Sequence, residues 1–82
     1  MAGVVLARIQ KNKADEVRVA LEKWAGKDNI DIRVYVKLSD PSGEIVATRK
    51  GVSLPVAKIP DLLVGIQAAQ TEAIRLGLLK AP

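Results

Sequence analysis

The fold of this chain is decided by its most regular stretch, Ile30–Leu38, which reads IDIRVYVKL. Aliphatic residues occupy every even position, and Asp31, Arg33, Tyr35 and Lys37 lie between them. Because successive side chains of a strand point to opposite faces, this alternation predicts a half-buried strand with one apolar and one polar face. The β-branched residues on the apolar face favour the same interpretation.

Three further stretches alternate in a similar way and complete a sheet. We predict these strands at Val4–Gln10, Glu16–Trp24 and Glu44–Leu54, with Gly51 as a bulge or a point of close approach in the last one. Turn-forming residues lie between the strands, at 11–14, 25–29 and 40–43, where Asp, Pro, Ser and Gly follow one another. Such short connections imply an antiparallel meander.

After Leu54 the apolar residues change to helical spacing. Pro55 and Pro60 suit a first helical turn, and Gly77 is placed to end the helix. We therefore expect one α+β domain over residues 1–82, with a curved four-stranded antiparallel sheet followed by one C-terminal helix. One helix covers about one side of such a sheet, which leaves the other side to solvent or to a partner.

The short chain and its apolar helix together predict a homodimer. With 82 residues and no cysteine, a monomer has a modest core and no disulfide to support it. The helical region also carries more large apolar residues than one sheet face needs, namely Leu62, Leu63, Ile66, Ile74, Leu76, Leu78 and Leu79. We expect two copies to pair through these helices.

The charge is concentrated in the first part of the chain. Its formal net charge is +4, and residues 60–82 hold two acidic and two basic groups, so the excess lies in residues 1–59. A basic surface favours a polyanionic partner, although many basic proteins bind no nucleic acid. No apolar run approaches the roughly 20 residues of a membrane span, so we expect no membrane partner.

The two aromatic residues, Trp24 and Tyr35, fall among cations on the polar side of the predicted strands. Unstacked bases lie on aromatic planes while cations follow the phosphates, so this pattern is typical of a single-stranded nucleic-acid site. The candidate residues on this face are Arg18, Trp24, Arg33, Tyr35 and Lys37, with Arg49 and Lys50 near the end of the last strand.

Each candidate also has an ordinary structural interpretation. Trp24 can fold over the sheet edge, and Tyr35 can be a cross-strand packing partner. The basic residues can be solvated charges, with Glu22 and Asp31 as ion-pair partners. The aromatic and basic residues are more specific as a set than any one of them is alone.

Enzymatic chemistry is poorly represented in this sequence. Histidine and cysteine are absent, which removes the usual bases, nucleophiles and zinc ligands. Neither a phosphate-binding loop pattern nor a dinucleotide fingerprint is present. We predict a protein that is not an enzyme and has no metal or cofactor.

Four segments resemble the single-stranded DNA-binding domain of the transcriptional coactivator positive cofactor four, in its compact bacterial or phage form. These segments read WAGK at 24–27, IDIRVY at 30–35, SGE at 42–44 and RKGVSL at 49–54. The resemblance implies a helix-paired dimer whose sheets bind single strands or melted duplex. It also implies the site positions: Trp24 as the stacking aromatic, Lys27 as a loop lysine, Arg33 as the strand arginine, and Arg49, Lys50 and Gly51 as the phosphate-holding group.

Two positions depart from the human-type pattern. Glu22 stands where that protein has a basic residue, and Val36 stands where it has a second aromatic. Tyr35 aligns with neither aromatic position, which leaves its role open.

We therefore predict a dimeric, largely sequence-independent single-stranded DNA-binding protein that acts in transcription, replication or recombination and repair. RNA and transcription or replication proteins are further candidate partners. The alternatives are an interaction module that docks a polymerase and a duplex reader that uses a β-ribbon. The expected location is the cytoplasm or nucleoid of a prokaryotic or phage-infected cell, or the nucleus of a eukaryote.

Overall fold

The computed structural model describes residues 3–82 as a four-stranded sheet followed by one helix. The strands are β1 (Val4–Gln10), β2 (Asp15–Trp24), β3 (Lys27–Lys37) and β4 (Ile45–Pro55). A short 3-10 turn (Val56–Lys58) leads into helix α1 (Ile59–Arg75). The strands pair antiparallel in the order β1-β2-β3-β4, which confirms the predicted meander and the C-terminal helix.

The hairpin between β2 and β3 is tighter than the sequence predicts. Trp24 pairs directly with Lys27, so that only Ala25 and Gly26 form the turn. Both have positive φ, 53° and 77°, the combination that matches the twist of a two-residue hairpin. The segment 27–29, expected in a loop, therefore belongs to β3, and Lys27 is a strand residue rather than a loop lysine.

The other two connections form the turns that were predicted. In the β3–β4 turn, the Gly43 N–H donates to the Asp40 carbonyl at 3.1 Å, and the Asp40 carboxylate accepts the Ser42 N–H at 3.1 Å. In the β1–β2 turn, the Asn12 side-chain oxygen accepts the N–H groups of Ala14 and Asp15 at 3.0 and 2.9 Å. Both turns thus use a side-chain acceptor to hold the chain reversal.

A bulge interrupts the ladder between β3 and β4. Arg33 pairs with Gly51 and Tyr35 pairs with Ala47. The three β4 residues between Ala47 and Gly51 therefore lie opposite a single β3 residue, Val34. Gly51 borders this bulge at a point where the chains nearly touch, since a Cβ there would lie 2.6 Å from the Ile32 carbonyl oxygen. Gly51 therefore marks both features that the sequence suggested, a bulge and a close approach.

Helix α1 ends as predicted, with Gly77 at φ 77° and the Leu78 N–H donating to the Ala73 carbonyl at 2.8 Å. These features belong to a Schellman motif. Within residues 3–82, the helix is not long and apolar enough to cross a membrane.

The helix does not cover its own sheet, which corrects the expectation that it would pack over one side. Every residue of α1 is at least partly exposed, and Leu63, Val64 and Ile66 are more than half exposed. Contact with the sheet is made mainly by the 3-10 turn, which touches β3. Among the described residues, Ile30 is the only buried hydrophobic residue, and it is still 8% exposed. The short connection after β4 directs the helix away from the sheet, a property that side-chain periodicity does not encode.

Candidate nucleic-acid interface

The strand register defines a polar face of the sheet. Paired residues of neighbouring strands lie on the same side. The polar face carries Arg8 and Gln10 of β1, Glu16, Arg18, Ala20, Glu22 and Trp24 of β2, Lys27, Asn29, Asp31, Arg33, Tyr35 and Lys37 of β3, and Ala47, Gly51 and Ser53 of β4. The opposite, apolar face carries Val17, Val19, Leu21, Ile30, Ile32, Val34, Val52 and Leu54. This division agrees with the alternation seen in the sequence.

One rung of the polar face crosses all four strands. Arg8 pairs with Arg18, Arg18 with Arg33, and Arg33 with Gly51. Sequence reasoning missed Arg8 because a register shift between Val5 and Ala7 breaks the alternation of β1. The signal that identifies it is its pairing with Arg18, which requires the register.

Trp24 lies at the tip of the β2–β3 hairpin with its indole in solvent. The residue is 73% exposed, the highest exposure among the strand residues with large apolar side chains. The interpretation in which Trp24 folds over the sheet edge is therefore wrong. An indole is a large apolar surface, so its exposure leaves a plane that a base can cover.

The Tyr35 ring makes a cation–π contact within the protein. The Arg18 guanidinium lies 4.3 Å from the centre of the Tyr35 ring, and the same guanidinium forms an ion pair with Glu16. Tyr35 is half-buried, and its cross-strand partner is Glu16. One ring face is thus occupied by a cation–π contact, as expected for a packing partner.

Arg33 is similarly held inside the protein. Its Nη2 and Nε atoms donate to the two Asp31 carboxylate oxygens at 2.8 and 3.1 Å, and Nη1 donates to the Thr48 carbonyl at 3.2 Å. The side chain of Asp31 is only 7% exposed. The hydrogen bonds to Asp31 raise the pKa of the Arg33 guanidinium above its ordinary value. The Arg33 guanidinium and the Asp31 carboxylate therefore form a compensated pair.

The basic pair Arg49 and Lys50 lies in the β4 bulge. Both residues fall between Ala47 and Gly51, where the bulge interrupts the strand alternation that elsewhere assigns a residue to one face. Lys50 lines a groove whose other members are Lys11, Val17, Ile32, Arg33, Val34, Gly51 and Val52. Arg49 and Lys50 are both exposed.

A second concave region lies beside Tyr35. It has a volume of about 200 Å³ and is lined by Gln10, Lys13, Ala14, Asp15, Glu16, Tyr35, Lys37 and Ile45. Lys37 is exposed at its border and reaches toward the β3–β4 turn, where its Cε lies 3.3 Å from the position of a Cβ on Gly43. The candidate residue Lys37 therefore shares a site with Lys13, which the sequence did not single out.

The charges of the polar face form a compensated centre with cations around it. Arg18 and Arg33 pair with Glu16 and Asp31 in the middle. Seven of the nine cations of residues 3–82 that make no ion pair lie at the hairpin tip, in the β4 bulge, in β1 and in or beside the other two turns, namely Lys27, Arg49, Lys50, Arg8, Lys11, Lys13 and Lys37. The other two, Lys58 and Lys80, lie before and after α1. These groups are available to a polyanion without first losing a carboxylate partner.

Residues 3–82 contain no cluster of side chains that could bind a metal ion. No three acidic side chains come together there in a way that could hold an ion.

A family model matches residues 11–64, about two-thirds of the chain, and its description is transcriptional coactivator p15 (PC4). The solved structures of a PC4 homologue from Burkholderia pseudomallei agree with it. The tetragonal form superposes with a TM-score of 0.75 at 26% identity, over 84% of this chain and 98% of that one. The orthorhombic form gives a TM-score of 0.74 at the same identity, over 84% and 90% of the two chains.

A phage protein shares the fold at lower identity. It is the bacteriophage T5 homologue of the eukaryotic coactivator PC4, implicated in recombination-dependent DNA replication. It superposes with a TM-score of 0.60 at 17% identity, over 94% of this chain and 82% of that one. Among curated proteins, no sequence matches the chain.

Proposed function

The chain belongs to the transcriptional coactivator p15 (PC4) family, a family of DNA-binding coactivators, and we propose that it is a dimeric, largely sequence-independent single-stranded DNA-binding protein. The observation that carries the proposal is Trp24, which is 73% exposed at a hairpin tip beside Lys27. An aromatic plane among unpaired cations suits a strand whose bases are unstacked.

The arrangement favours single strands over duplex. Base faces are hidden in a duplex, so an exposed indole at the tip of a hairpin finds no partner there except at melted positions. In a single strand, each base has a face that can stack regardless of its identity, which gives binding with little sequence preference. The scattered cations supply affinity through phosphate contacts that depend strongly on salt.

The proposed cellular process is based on the family and on a similar phage protein. Family membership supports a role in transcription, and the phage T5 protein, implicated in recombination-dependent replication, supports replication or recombination and repair as well. Each of these processes exposes single strands. The proposed cellular location is therefore the compartment that contains the host DNA, which is the nucleoid or the nucleus.

The homodimer rests on the surface that one chain leaves exposed. The chain exposes 6534 Å², whereas a compact monomer of this mass exposes about 4,800 Å². Its radius of gyration is 15.2 Å, against about 11.7 Å for a compact domain of this length. The excess area is of the size that permanent dimers bury. The exposed apolar side of α1 is the surface we assign to the second copy.

The test is fluorescence anisotropy with a labelled single strand of about 20 nucleotides, competed by the same sequence as a single strand and as a duplex at two salt concentrations. We expect salt-sensitive binding that single strand displaces far better than duplex. Equal competition by duplex would contradict the stacking role and favour a duplex reader. An absence of binding at moderate salt would instead favour a protein-docking module built on α1.

A further inference from the structure

All three nitrogens of the Arg33 guanidinium donate hydrogen bonds within the protein. Nε and Nη2 donate to the Asp31 carboxylate as a bidentate pair, and Nη1 donates a hydrogen bond to the Thr48 carbonyl. A phosphate that approached Arg33 would compete with a carboxylate already bound in the favoured fork geometry. Arg33 is thus poorly placed to be a primary phosphate contact, although it lies in the middle of the polar face.

The same guanidinium joins β3 to the bulge of β4. Thr48 is the bulge residue that Arg33 contacts, and its hydroxyl donates to the Val34 carbonyl at 2.8 Å. The Thr48 hydroxyl also accepts the Lys50 N–H at 3.2 Å. Beyond Lys50, Gly51 approaches β3 so closely that a Cβ would lie 2.8 Å from the Arg33 Cα. The bulge is therefore fixed at both ends, with the exposed Arg49 between them.

We propose that Arg33 is a positioning residue, which together with Asp31 and Thr48 holds the β4 bulge so that Arg49 is presented to phosphate on the polar face. This inference rests on the proposed binding of single-stranded DNA. In this inference, Arg33 contributes to affinity through Arg49, because Arg33 sets the position of Arg49. Free β-bulges are locally unpaired, so a fixed bulge loses less conformational entropy when Arg49 binds.

A double-mutant cycle between R33K and R49A tests the assignment. Lysine keeps the charge but lacks the planar fork that joins Asp31 to the Thr48 carbonyl. We expect R33K to lower the salt slope of single-stranded DNA binding by about 0.7, the value for one phosphate contact and the same loss as in R49A. In the R49A background, R33K should then change nothing further. Additive losses, or wild-type binding by R33K, would overturn the proposal.

A second variant loosens the bulge without touching any charge. T48V removes the hydroxyl that bonds Val34 and Lys50 and keeps the shape of the side chain. We expect T48V to lower the salt slope as R33K does. The matched control is T71V on the exposed surface of α1, which should bind like wild type. If T48V also bound like wild type, the bulge would not set the position of Arg49.

A measurement without DNA separates this inference from the proposed function. The Lys50 amide should exchange its hydrogen faster in R33K and T48V than in wild type, relative to amides of β2 in the same sample. Unchanged exchange in both variants overturns the positioning role whatever the binding shows. Faster exchange in a protein that binds no single-stranded DNA would uphold the fixed bulge and reject the proposed function.

Discussion

Trp24 and Lys27 are cross-strand partners at the tip of the β2–β3 hairpin, separated by a turn of only two residues. The pairing places an exposed indole and an exposed ammonium side by side at the end of the polar face. A base stacked on Trp24 would bring its phosphate within reach of this lysine, because the two side chains project from the same side of adjacent strands.

Replacement of Trp24 by alanine should weaken single-stranded DNA binding by about 1–3 kcal/mol, or about 5- to 150-fold in Kd, because one stacking platform is lost. Folding stability should change little, since the indole is 73% exposed. Anisotropy titration and thermal unfolding measure the two effects. Trp24→Phe keeps an aromatic plane and should retain most of the affinity. Equal binding by wild type and Trp24→Ala would remove Trp24 from the site.

Ala25 is the one non-glycine residue with positive φ among residues 3–82, and its replacement by asparagine should stabilise the fold. The left-handed conformation costs an alanine about 1 kcal/mol, whereas asparagine followed by glycine is preferred in two-residue hairpin turns. Urea denaturation should show a gain of up to about 1 kcal/mol. The control is Gly26→Ala, which imposes the same strain at φ 77° and should destabilise. A loss of stability in Ala25→Asn would contradict the turn geometry.

Arg49 and Lys50 are adjacent in sequence but should differ in their contribution to binding. Arg49→Ala should lower the slope of log K against log salt by about 0.7, as expected for one phosphate contact on a single strand. Lys50→Ala should lower it less, because Lys50 lines a groove with the apolar residues Val17, Ile32 and Val52. Titrations at four or more salt concentrations give the two slopes. A larger loss from Lys50→Ala would show that the strand runs along the other side of the bulge.

Gly51 should tolerate no side chain. In Gly51→Ala, the new Cβ would meet the Ile32 carbonyl oxygen at 2.6 Å, so β3 and β4 must separate. Overpacking of this kind costs about 1–3 kcal/mol of stability. Binding should fall as well, because the bulge that carries Arg49 moves. Ser53→Ala, two residues later on the same face, is the matched control and should leave both measurements unchanged. Wild-type stability in Gly51→Ala would mean that the strands are further apart than described.

The strands, the helix and the division into two faces follow from the sequence because each depends on local periodicity. The IDIRVYVKL alternation determines which side chains share a face, and the structure has Arg18, Arg33 and Tyr35 together as that alternation requires. Gly77 and the β3–β4 turn are likewise local signals with a direct physical cause.

The features that the sequence left undetermined depend on pairing between distant residues. Arg8 joins the central rung only through the register of β1, and the engagement of Arg33 with Thr48 requires the β4 bulge. The direction of α1 depends on the backbone dihedral angles of the short turn Val56–Lys58 rather than on any hydrophobic pattern. Tertiary geometry of this kind is fixed by contacts that single-strand alternation does not describe.

A charge placed on the apolar side of α1 should separate the proposed dimer. Ile66 is 53% exposed in a single chain, at the centre of the helical stripe formed with Leu62, Leu63 and Ala73. Ile66→Lys would bury an ammonium if a second copy covers this stripe, and burial of an unpaired charge is strongly unfavourable. We expect sedimentation equilibrium to show monomers and circular dichroism to show a lower unfolding temperature, since one chain buries little. Ala68→Lys lies about 200° around the same helix, on the side away from the stripe, and should remain dimeric with wild-type stability. If both variants sedimented as wild type does, the copies would have to associate through the sheet, and a concentration-independent wild-type monomer would exclude the dimer altogether.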